Sequence, residues 1–137
     1  MTSNKTTTAN FENVKINVKV KLSALWATVM FIYIYVDIFG FFEPGSLESI
    51  LAGKVWVMDI TQTWALTGLI LMTIPSLMVF LSLALNARSN RWTNIIVAIL
   101  YILVAIGNPI GDTWAYIYFG SIVEIILLSL IVWYAWK

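Results

Sequence analysis

The chain has 137 residues, of which 61% are hydrophobic and only 11% charged, with a net charge of +1. Soluble domains carry roughly 25% charged residues, and an excess of apolar side chains this large cannot be buried in one water-soluble core of this size. Cysteine and histidine are both absent, which excludes disulfide staples, thiol chemistry, ordinary zinc sites and His-ligated haem, so no metal or cofactor is expected.

Residues 1–18 read as a polar, Thr- and Asn-rich flexible cytoplasmic tail. The first apolar run is entered through Lys15, Lys19 and Lys21 and gives a helix over about 19–42, stopped by Glu43-Pro44-Gly45. The next segment, 46–52, carries Leu47, Ile50 and Leu51 on one side and predicts a short helix lying in the membrane interface.

A second long helix is predicted over 59–86, with Asp59 as N-cap and Gln62 completing a capping box. Pro75 falls inside it, removes one backbone hydrogen bond and leaves the Leu71 carbonyl underused. The third helix is expected over 90–107, ended by Asn108 and Pro109, and the fourth over 113–136 with Asp112 as N-cap. Each run is long enough to cross a ~30 Å hydrocarbon layer, which takes about 20 residues per crossing. The expected fold is therefore all-α, an integral membrane four-helix bundle formed by residues 19–137.

With the N-terminus inside, seven of the eight basic residues face the cytoplasm and only Lys54 lies outside. That bias predicts a multi-pass protein of the inner (cytoplasmic) membrane with both termini cytoplasmic. Trp92, Trp133 and Trp136 at the inner helix ends, and Trp56 and Trp114 at the outer ends, suit an aromatic belt.

Two carboxylates, Asp37 and Glu124, interrupt the apolar runs with no Lys or Arg inside those runs. Ionisable residues at membrane depth mark functional sites by default. Ser23, Trp26, Met30, Tyr33, Asp37 and Gly40 share one face of the first helix, and Asn94, Ala98, Tyr101, Ala105 and Asn108 share one face of the third. At ~1.5 Å of rise per residue, Asp37 falls ~6 Å below the outer boundary and Glu124 near the midplane, about 10 Å apart in depth. Two layers are accordingly expected. Glu124, Tyr33, Tyr101 and Thr67 form the midplane layer, and Asp37, Asn108 and Thr63 the outer one. Desolvation favours the neutral form of a carboxyl group, which makes Glu124 a candidate neutral acid and Asp37, nearer water, an ionised or cation-accepting group. The plainer alternative is that these polar stripes serve only to pack the helices.

The segments Leu22–Trp26, Tyr33–Asp37, Ile74-Pro75, Asn90–Asn94 and Val132–Lys137, together with Glu124, resemble an uncharacterised family of small bacterial four-helix membrane proteins, distantly similar to DoxX-like proteins. The resemblance covers residues ~20–137 in a four-helix architecture of about this length; it implies that architecture and highlights the two acids without naming an activity.

Three functions fit. One is a bundle whose polar interior binds a lipophilic or other small ligand, with the site residues orienting its polar end. A second is an accessory subunit that buries an acid against a membrane protein partner or a second copy of itself. The alternative is a proton- or cation-coupled transporter using Glu124 and Asp37. The length is similar to that of small multidrug resistance exporters, but the charge asymmetry argues against a dual topology. Two acids without a nucleophile or metal motif argue against an enzyme. The expected partners are membrane lipids; the near-neutral charge gives no basis for nucleic acid binding.

Overall fold

A computed structural model of the chain describes residues 14–137, so most of the tail expected over 1–18 lies outside the described residues. The elements are α1 (Val18–Gly40), α2 (Ser46–Leu51), the strand pair β1 (Lys54–Val55) and β2 (Met58–Asp59), α3 (Gln62–Ala84), α4 (Ala87–Gly107) and α5 (Ala115–Trp136). Four of the helices, of 23, 23, 21 and 22 residues, are long and apolar enough to cross a membrane.

Their boundaries follow from local capping. Asn17 opens α1 by accepting the Lys19 N–H at 2.9 Å. Asn86 opens α4 by accepting the Ser89 N–H at 3.0 Å, so this helix begins a turn before the expected residue 90, and only Leu85 and Asn86 join it to α3. The expected Asp59 cap is corrected: Asp59 pairs with Lys54 across the two-stranded ladder, and the extended backbone this requires delays the helix. Thr61 is the N-cap instead, accepting the Trp64 N–H at 3.1 Å. Asp112 is likewise displaced as the cap of α5. Its carboxylate accepts the Trp114 N–H at 2.9 Å, tightening the turn before the helix, and Trp114 takes the cap position.

The hairpin itself was absent from the expected elements. Its tip places Trp56 at φ 54°, a left-handed conformation that favours glycine, on a side chain that is exposed.

The four long helices form a ring in which α1 packs on α3 and α5, α5 packs on α4, and α4 meets α3 more sparingly. The buried stripe of α5 runs Ile117, Gly120, Ser121, Glu124, Leu128, Ile131 and Ala135, the three-and-four spacing of one helix face. The core centres on Trp26, Val29, Met78, Ala98, Tyr101, Leu128 and Ile131. Small residues set the closest approach: a Cβ added to Gly120 would lie 2.7 Å from Val36 Cγ2, so α1 and α5 meet there with no room for a methyl group.

Pro75, Met78 and Ser82 are the buried residues of α3, and all lie in its C-terminal half. Every residue of its N-terminal portion, Gln62–Ile70, is exposed.

Candidate functional site

Two polar layers lie inside the ring, and they differ in how their hydrogen bonds are met. The inner layer is complete. Asn94, fully buried, accepts from Trp26 Nε1 at 2.7 Å and from Ser82 Oγ at 3.1 Å, and donates to both the carbonyl and the side-chain oxygen of Asn90 at 2.8 Å. Asn90 in turn donates to the Ser82 carbonyl at 2.9 Å, and Ser23 donates to the Val79 carbonyl at 2.7 Å. These bonds tie α1, α3 and α4 together. A network in which every donor is met rigidifies the interior and has little left to offer a ligand.

The second layer is toward the other end of the bundle, nearer the end of α1 and the start of α5, and its bonds are not met. Glu124 is 1% exposed, yet neither carboxyl oxygen has a hydrogen-bond partner among the described residues. The Tyr33 hydroxyl and the Ser121 hydroxyl are buried and unpartnered in the same way. A polar group buried without a partner costs about 1–3 kcal/mol, so each of these four atoms is unfavourably placed without one. Buried polar atoms of this kind call for an explanation.

Beside them is a cavity of about 110 Å³, lined on α1 by Tyr33 and Asp37, on α4 by Tyr101 and Asn108, on α5 by Glu124 and on α3 by Leu71 and Met72. The side chains grade from exposed Asp37 and Asn108 at its rim to buried Tyr33, Tyr101 and Glu124 within. Tyr33 and Tyr101 stand with ring centroids 6.4 Å apart, and Tyr101 also meets Trp26 edge to face at 6.4 Å, so the inner layer supports the ring that walls the cavity.

Pro75 determines what Tyr101 does. Proline lacks the N–H that would bond the carbonyl four residues earlier, and the Tyr101 hydroxyl donates to that carbonyl, Leu71 O. The bond bridges α4 to α3 at the level of the cavity.

Asp37 and Glu124, assigned to separate depths from the rise per residue, thus face one cavity together with Tyr33, Tyr101 and Asn108. Backbone depth alone leaves out side-chain reach, which closes the interval. Thr63 and Thr67 do not join them; both are exposed on the N-terminal half of α3. Val36 and Met72 also line the cavity, and Ser121 is buried nearby on α5, none of them among the residues expected there. Ser121 had a signal, since it lies three residues before Glu124 on the same helix face.

The donors of the cavity are all oxygen or amide groups. Hard cations and protons suit such a set, and soft metals do not. Among the described residues no group of three or more Asp, Glu, His or Cys gathers to hold a metal ion.

Four apolar spans around a polar interior define a small multi-pass helical membrane protein. The chain belongs to a family of unknown function, DUF6326, which it matches over residues 10–137. No curated protein and no solved structure matches it.

Proposed function

We propose that the protein binds and releases a proton or a small cation at Glu124, with Asp37 at the entrance, as part of a coupled transport or permeation step across the membrane. The observation that carries this reading is the pair of buried, unpartnered Glu124 oxygens beside a cavity with a carboxylate at its rim. An ionised carboxylate without donors is strongly disfavoured in a low-dielectric interior. A proton or cation on Glu124 removes that penalty, and its departure restores it.

Volume favours this reading over a lipophilic ligand. Sites for drug-sized molecules occupy ~300–1,000 Å³, whereas 110 Å³ has room for about three water molecules at ~30 Å³ each. Waters in the cavity would connect Asp37 to Glu124 and supply the missing hydrogen bonds.

The test is proton flux into proteoliposomes under an imposed potential, read with a trapped pH-sensitive dye. The intact chain is expected to give a potential-driven flux that varies with pH, E124Q to abolish it, and D37N to slow it. Flux in E124Q equal to that of the unaltered chain would remove Glu124 from the function.

A second reading, an accessory subunit, has its own support. The outer portion of α3 exposes every residue from Gln62 to Ile70, including Thr63 and Thr67, and a partner helix or a second copy of this chain would cover it. Such a partner should co-purify in mild detergent and be lost when Thr63 and Thr67 are replaced by Leu.

In either reading we place both termini in the cytoplasm and α2 in the outer interface of a bacterial inner membrane, on the strength of the basic residues at one end. The distant likeness to DoxX-like proteins bears on this architecture and adds no activity.

A further inference from the structure

A second concavity lies at the opposite end of the bundle. Between the starts of α1 and α4 and the end of α5 is a cleft of about 670 Å³, and Lys19, Arg88, Arg91 and Lys137 all line it. Among the described residues no Asp or Glu side chain does. The described acidic residues other than Glu124 are Asp37, Glu43, Glu48, Asp59 and Asp112, near the outer end of α1 or in the outer connections.

The partners these cations do have are neutral. Lys19 Nζ donates to the Leu85 carbonyl at 2.6 Å. The Arg91 guanidinium stands 4.7 Å from the Trp136 ring centre, and the Lys137 ammonium 4.1 Å from that of Trp133. Carbonyls and ring faces orient a cation without cancelling its charge. Two helices start at this end and two finish there, so their dipoles offset one another and the field is that of the side chains. Topology alone calls for basic residues near helix ends, but it does not require them to converge on one cleft.

The cleft is not wholly polar. Val18 and the Trp92 ring, both exposed, also line it. A ligand that fills it has a compact negative group and an adjoining apolar portion.

We propose that this cleft binds the phosphate headgroup of an anionic phospholipid from the leaflet at that end of the bundle. Arg88 and Arg91 supply the forked donors that match phosphate oxygens, Lys19 and Lys137 add charge, and the glycerol and first acyl carbons cover Val18 and Trp92. Free phosphate has the same charge chemistry but leaves the apolar wall bare.

The test uses the full chain in nanodiscs of equal parts phosphatidylglycerol and phosphatidylcholine, released into mild detergent and weighed by native mass spectrometry. One phosphatidylglycerol should remain bound in preference to phosphatidylcholine. Retention should fall by roughly tenfold in R88Q/R91Q, fall less in R88K/R91K, which keeps the charge but loses the fork, and be unchanged in K54Q, at the other end of the molecule. Where the double variant is not recovered folded by circular dichroism, K137Q serves in its place and should show partial loss. Equal retention of the two lipids, unchanged retention in the Gln variants, or displacement of the lipid by millimolar inorganic phosphate would each overturn the proposal.

Discussion

Tyr101 and Pro75 act as one unit although they lie on different helices. Proline frees the Leu71 carbonyl and the tyrosine hydroxyl takes it up, so each substitution should have an effect that depends on the other. Removing the hydroxyl in Y101F is expected to destabilise the bundle by about 1 kcal/mol, the scale of interhelical hydrogen bonds in membranes. In P75A the backbone N–H of residue 75 becomes available to Leu71, and the same Y101F substitution should then have little effect. Unfolding of the four variants in mixed micelles measures the coupling, and equal effects in both backgrounds would show that Tyr101 and Pro75 do not act as one unit.

The sequence carried both halves of this bond. A proline marks a carbonyl four residues back, and Tyr101 lies on a polar stripe. What it did not carry was the rotation of α4 relative to α3, which decides whether the hydroxyl reaches that carbonyl or another. The same gap explains Glu124 and Asp37: their depths follow from counting residues, but their meeting at one cavity depends on how the helices turn their faces.

Among the elements, the contact of α1 with α5 is the least forgiving, because Gly120 sits against Val36 at a distance that admits no methyl group. G120A should force the helices apart beside the cavity and destabilise the protein by about 1–3 kcal/mol, the usual range for overpacking. V36A in the same chain should restore most of that loss, a reversal that thermal unfolding in detergent will register. An equal melting temperature for G120A and the unaltered chain would contradict the packing described. The α3 helix is at the other extreme. Thr63 and Thr67 are expected to face inward, but Gln62–Ile70 is exposed throughout and the buried residues of the helix begin at Pro75. Hydropathy locates a span without specifying which of its faces, or how much of its length, meets protein. The hairpin of β1 and β2 escaped the sequence reading for a related reason. Its tip holds Trp56 and Val57 where a glycine or asparagine would have signalled a turn.

Over the whole molecule, charge is divided between the two ends, with six described basic residues at one and the lone Lys54 at the other. Because the sequence contains no cysteine, single cysteines report topology without background. K54C should react with a membrane-impermeant maleimide on intact cells, whereas S89C, in the inner end of α4, should react only after permeabilisation. Labelling of S89C on intact cells would reverse the orientation and place the Glu124 cavity toward the cytoplasm.

The bond from Trp26 to Asn94 has a consequence for synthesis. Its two residues are 68 apart in the chain, so the indole N–H of α1 has no native acceptor until α4 has been made. A first helix released into lipid at once would hold an unmet donor through the production of α2, the β1–β2 hairpin and α3, in a solvent that offers it no water. Retention of α1 beside the insertion machinery until α4 emerges avoids that state. Closure of the ring is then a late and concerted event rather than a sequence of independent insertions.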